Sequence, residues 1–145
     1  MSATGLRAVS VAREWIGTPY LHQASAMGAG TDCLGLLRGI WRELYGAEPE
    51  PVPAYTQDWS EAEGAERLWL AACRHLQICD SRSALRPGEV LLFRMRAGSV
   101  AKHLGLAAES GGRTTFIHAY SGHGVVESPL STPWARRVVA RFEFP

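Results

Sequence analysis

What this sequence lacks narrows the field before any motif is considered. Its 145 residues contain 3 cysteines and no CxxC pair, a sparse and odd set that argues against a disulfide framework and reads as reduced thiols made in a cytoplasm. Neither sign of charge dominates: 15 Lys and Arg face 14 Asp and Glu, so there is no basic footprint for nucleic acid and no acidic tail. No apolar run approaches the roughly 18 residues of a membrane span. The opening Met1-Ser2-Ala3-Thr4-Gly5 has no basic region followed by an apolar one, so no secretory signal is expected, and work outside the cytoplasm would need another route of export. Internal repeats and low-complexity tracts are also missing. What remains is ordinary for a globular chain, 46% hydrophobic and 20% charged, long enough for one sizeable core and expected as one domain over residues 1–145.

The hydrophobic period divides the chain in two. Leu6, Val9, Val11, Ala12, Trp15 and Ile16 recur at helical spacing and stop at Gly17, with Pro19 beyond, which predicts an amphipathic helix over 6–16. Leu36, Leu37, Ile40, Trp41 and Leu44 predict a second helix, ending at Gly46. Glu48-Pro49-Glu50-Pro51-Val52-Pro53 forbids regular structure and reads as an extended connector. Tyr55 and Trp59 follow, either lining a cleft or holding the loop down. Ser60-Glu61-Ala62-Glu63 resembles a capped helix start, with the helix running on through Leu68, Trp69, Ala72 and Cys73 to about Leu76. Cys73, on that apolar face, and Cys79, in a short connector, read as structural. Beyond Arg86-Pro87-Gly88 the period changes to two, and strands are expected at 89–95, 103–109, 114–120, 124–127 and 136–144. Strands without intervening helices make an antiparallel sheet. The fold class is therefore α+β, N-terminal helices packed on an antiparallel sheet of about five or six strands.

The helix that follows Gly30-Thr31-Asp32-Cys33-Leu34-Gly35 has Asp32 at its N-cap and Cys33 at its first position. There the unpaired amides and the positive end of the helix dipole favour a thiolate, and such sites lower a cysteine from about 8.5 to between roughly 3.5 and 7.5. The charge of Asp32 opposes this, so a cationic partner is required. The competing reading of Cys33 is a small buried hydrophobe, but its place after a Gly/Ser loop favours the nucleophile.

A two-residue turn at Gly111-Gly112 would pair Ser110 with Arg113, which sets His103 opposite Tyr120 and Gly105 opposite His118. All four side chains then share one face. His103 and His118 become diagonal neighbours about 7–8 Å apart at the backbone, and a one-residue slip would separate them. A lone strand histidine is usually structural. Two on one face, near a helix-start cysteine, match what a thiol nucleophile needs: an imidazole to take its proton and a third polar group to orient that imidazole. His22 and His123 are the weaker candidates. A zinc site using Cys33 and the histidines lacks a compact ligand pair and is disfavoured.

Gly17-Thr18-Pro19-Tyr20, Asp32-Cys33-Leu34-Gly35-Leu36, Pro87-Gly88-Glu89-Val90-Leu91-Leu92-Phe93, His103-Leu104-Gly105 and Ile117-His118-Ala119, in that order, resemble the NlpC-like cell-wall peptidases, a branch of the papain-like cysteine hydrolases. The resemblance implies a papain-like fold with no metal or cofactor. It also implies hydrolysis of stem-peptide amides in peptidoglycan, typically the bond from γ-D-glutamate to diaminopimelate. Cys33 would be nucleophile, His103 general base and His118 the orienting residue. Tyr20 would contact substrate or oxyanion, and Asp32, Leu34 and Gly35 would be further substrate contacts. Many members have Ser where this chain has Leu34, which alters one cleft contact. Trp41-Arg42-Glu43-Leu44-Tyr45-Gly46 and Phe142-Glu143-Phe144-Pro145 resemble the branch encoded with phage tails and gene-transfer agents. That branch implies tail proteins as partners and a tail-associated enzyme acting in the periplasm. The alternatives are an N-acetylmuramoyl-L-alanine amidase with the same triad, or a non-catalytic structural or binding component of a tail.

Overall fold

A computed structural model describes residues 2–55 and 65–145 of the chain. Trp59 and the capped helix start at 60–63 lie outside the described residues. Helix α1, Ala3–Glu14, begins ahead of its first large apolar residue because the Ser2 hydroxyl accepts the Gly5 amide at 2.9 Å. A short ribbon, β1 (Ser25–Ala26) and β2 (Gly30–Thr31), then leads into α2, Cys33–Tyr45. Gly46, at φ 92°, stops α2 where a side chain would be strained. Helix α3 spans Arg67–His75 and starts later than the apolar pattern suggested, with Ala65 and Glu66 outside it. Its buried positions are Leu68 and Ala72; Cys73, expected on the apolar face, is exposed, because one further residue turns it about 100° away.

Strands β3 (Gln77–Ile78), β4 (Val90–Phe93), β5 (His103–Ser110), β6 (Arg113–Tyr120) and β7 (Gly124–Pro129) follow, then the one-turn helix α4 (Thr132–Ala135) and β8 (Val138–Glu143). They form a six-stranded antiparallel sheet in the order β3-β8-β4-β5-β6-β7. The last strand thus enters between two earlier ones. Both faces of the sheet are covered, which is why Val90, Leu91, Leu92 and Phe93 read as a continuous apolar run and are all fully buried. On one face Leu92, Leu104, Leu106, Ile117 and Ala119 join a core with Ala8, Ala12 and Trp15 of α1 and Leu36 and Ile40 of α2. On the other, Leu91, Phe93, Ala107 and Phe116 form a second cluster against Leu85, Leu130 and Trp134.

The β5–β6 hairpin has the register derived from its turn: Leu106 pairs with Ile117, Ala107 with Phe116 and Ser110 with Arg113. Gly111 and Gly112 both have positive φ, at 58° and 77°, as a tight turn of this kind demands.

Candidate active site

Cys33 is positioned by a loop whose polar groups converge on one carboxylate. Asp32, 2% exposed, caps α2 by accepting the Gly35 amide at 2.7 Å on Oδ1, while Oδ2 accepts the Gln23 amide at 2.8 Å and the Tyr55 hydroxyl. The Tyr55 carbonyl is held in turn by the side chains of His22 and Gln23. Arg38 and Arg42 grip Glu48 at 2.6 and 3.1 Å, so the proline-rich connector is tied to α2 at its start and to the nucleophile loop at its end. At Gly35 an added Cβ would lie 1.9 Å from the Ala24 carbonyl oxygen, which leaves only glycine there.

Cys33, half-buried at the first position of α2, touches the backbone on either side of His103. Its thiol donates to the Lys102 carbonyl at 3.7 Å, and the Leu104 amide favours the ionised sulfur. Within the sheet, His103 Nε2 and His118 Nδ1 are 2.8 Å apart, and His118 Nε2 lies 3.0 Å from Ser128 Oγ. His103 Nδ1 lies outside these two hydrogen bonds. Gly105 provides the space: a Cβ there would stand 2.9 Å from the Phe116 ring and 3.4 Å from the His118 Cβ. The two histidines are joined at one end of the β5–β6 hairpin, and the start of α2 brings Cys33 to the backbone beside His103.

Burial sets the resting protonation. It pushes the Cys33 thiol up to about 12, with Asp32 adding to the rise and the amides of Leu104, Leu34 and Cys33 opposing it. Burial likewise lowers His103 to about 3, helped by His118, and His118 to about 4, helped by His123. The pair therefore rests as neutral thiol and neutral imidazole. The helix end does favour a thiolate, as expected, but desolvation and the Asp32 charge outweigh it.

Tyr20 lies beside the loop through its pairing with Thr31, and burial, then Cys33 and Asp32, raise its phenol to about 12, so it remains a hydrogen-bond donor. Of the four expected substrate contacts, Tyr20 and Leu34 keep accessible surface, whereas Asp32 and Gly35 are buried and bonded within the loop. A cavity of about 680 Å³ opens beside Leu34 and Leu104 and is walled by Leu37, Leu68 and Tyr55. Among the described residues no three His, Cys, Asp or Glu side chains converge on a metal position.

Several contributors were not read from the sequence. Trp134 of α4 packs on His103, His118 and Tyr120 with ring centroids 5.8, 5.3 and 5.5 Å away. The only local hint was Ser131-Thr132-Pro133, a cap residue and a proline at a helix start. His22 ties the loop to Tyr55, and His123 stacks on Tyr120 at 5.2 Å; neither replaces the central pair.

A model of the NlpC/P60 family matches residues 17–143. The chain is 31% identical over 135 residues to the murein DD-endopeptidase MepS/murein LD-carboxypeptidase of Escherichia coli K12, covering 88% of this chain and 60% of that protein. It is 30% identical over 128 residues to a probable endopeptidase NlpC homolog of Haemophilus influenzae, covering 88% and 56%. The chain thus spans about three fifths of the length of the curated relatives it matches. In fold it is similar to NlpC2 of Trichomonas vaginalis, with a TM-score of 0.66 at 19% identity over 99% of this chain and 48% of that one. With a family match that takes in the loop before Cys33, His103, His118 and nearly all of the sheet, the chain belongs to the NlpC/P60 family.

Proposed function

We propose that this chain is a cysteine endopeptidase that hydrolyses stem-peptide amides of peptidoglycan, at the bond from γ-D-glutamate to diaminopimelate. The observation that carries the reading is the His103–His118 pair, 2.8 Å apart, at the backbone position touched by the Cys33 sulfur. In the first half-reaction the thiol proton passes to His103 Nδ1 as sulfur attacks the amide carbonyl. His103 then returns that proton to the leaving nitrogen, the C–N bond breaks, and a thioester remains on Cys33. In the second, water loses a proton to His103, attacks the thioester and releases the acid, and the thiol regains its proton. The Tyr20 hydroxyl and an amide near Cys33 are the donors offered to the oxyanion.

The E. coli relative is named a DD-endopeptidase, which favours a second reading in which the bond cut is a D,D cross-link. Mass spectrometry of murein fragments after digestion decides by the new carboxylate: a freed γ-carboxylate of D-glutamate supports the first reading, a D-alanine carboxylate freed from a cross-link the second. A free L-alanine amine would instead mean an amidase. Attachment to a phage-like tail, suggested by the 41–46 and 142–145 segments, belongs to the same proposal. Purified particles should carry the chain, and finding it only as free periplasmic protein would refute that part.

A further inference from the structure

Proton transfer from Cys33 requires His103 Nδ1 to be unprotonated. The proton of neutral His103 must then sit on Nε2 and be donated to His118 Nδ1, 2.8 Å away. That in turn fixes His118 as the tautomer protonated on Nε2. The opposite arrangement uses the same atoms and the same distances: His118 Nδ1–H donates to His103 Nε2, and His103 carries its proton on Nδ1, where it cannot accept one from sulfur. The His118 side chain is fully buried, so bulk water cannot select between these two neutral states. Among the described residues, the other side chain within hydrogen-bond distance of that ring is Ser128, whose Oγ is 3.0 Å from His118 Nε2. Its place follows from the sheet register: Phe116 pairs with Ser128 and His118 with Val126, so Ser128 is diagonal to His118 on the same face.

We propose that Ser128 is a positioning residue that acts through His118. Its hydroxyl can donate or accept, and in this role its oxygen is the acceptor of the Nε2–H bond, which holds His118 in the tautomer whose Nδ1 is an acceptor and so keeps His103 Nδ1 open for the thiol proton. The chain of donors then runs Cys33 Sγ to His103 to His118 to Ser128, and only the first proton changes owner. When His103 becomes imidazolium, its Nε2–H bond to His118 strengthens, and the serine oxygen allows His118 to polarise in response.

This inference rests on the hydrolase reading above, and its test is chosen to separate the two. Nitrogen-15 spectra of histidine-labelled protein report the tautomer of His118 without substrate. Iodoacetamide alkylation of Cys33, in a Cys73→Ser/Cys79→Ser background, reports the proton transfer without substrate. The unsubstituted protein should show His118 protonated on Nε2. Ser128→Ala should give a mixture of tautomers and slow both alkylation and kcat by about tenfold, the worth of one net hydrogen bond, with KM unchanged. Ser128→Thr keeps the hydroxyl and should restore both. Ser128→Asp, an acceptor only, should hold the Nε2–H tautomer outright. Finding His118 protonated on Nδ1 in the unsubstituted protein, or a Ser128→Ala variant with unchanged tautomer and rates, would overturn the proposal. If murein is not cleaved but the tautomer and alkylation behave as stated, the substrate reading fails and the role of Ser128 stands.

Discussion

At Cys33 two sets of effects oppose each other: amides at the helix start pull the thiol towards ionisation, while burial and Asp32 hold it up near 12. His103 and His118, lowered by burial to about 3 and 4, add no positive charge at neutral pH. The sign of the pH dependence follows. Activity needs an unprotonated His103, so kcat/KM should persist as pH falls through 6.5, the ordinary imidazole value, and decline only near pH 4. Alkylation of Cys33 should climb steadily between pH 7 and 10. A plateau already reached near neutrality would reveal a resting thiolate–imidazolium pair and contradict this account. The two histidines also differ in what can replace them. In the proposed mechanism His103 carries a proton, so His103→Asn should lose several orders of magnitude in kcat/KM. His118 needs only to accept from His103 Nε2, which an amide oxygen also does. His118→Asn should therefore retain far more activity than His118→Ala, whose misaimed base costs about a hundredfold.

Among the elements, α2 is the one on which the site depends, and its start is held by tertiary as well as local bonds. Tyr55→Phe removes the phenol from Asp32 and leaves that buried carboxylate with two amide donors. The expected cost is about 1.5–3 kcal/mol of stability, together with slower alkylation of Cys33, because the Asp32 charge is less well satisfied. Denaturant melts and alkylation rates check it, and unchanged values for both would mean that the contact is idle. The sequence was legible where the physics is local. Asp32 at a cap, Gly111-Gly112 at a turn and the period-two run from His103 were enough to derive the register that joins His103 to His118. It was illegible where a long-range partner decides. The two residues of β3 become a strand only because Gln77 and Ile78 pair with Glu143 and Phe142. Nothing near Tyr55 says that its hydroxyl reaches back to Asp32, and nothing near Trp134 says that it covers two histidines. The balance between helix dipole and burial at Cys33 was likewise invisible without knowing how deep the sulfur sits.

At the scale of the whole molecule, the helices-then-strands order of the chain becomes two layers, and the candidate site lies where the start of α2 meets one end of the hairpin. The sheet is completed only when β8 enters between β3 and β4, so residues near the C-terminus, among them Phe142 and Phe144, share the core on which α2 lies. Loss of a single sulfur should leave that core intact and remove the chemistry alone. The central claim, that Cys33 is the nucleophile of a murein hydrolase, is tested most directly by digesting purified peptidoglycan with the unsubstituted protein and Cys33→Ala side by side. Fragments are resolved by mass spectrometry, with matched melting curves confirming that both proteins are folded. A new amine-and-carboxylate product pair is expected from the unsubstituted protein and none from the folded variant. Equal release of products by Cys33→Ala, or none by the unsubstituted protein, would contradict it.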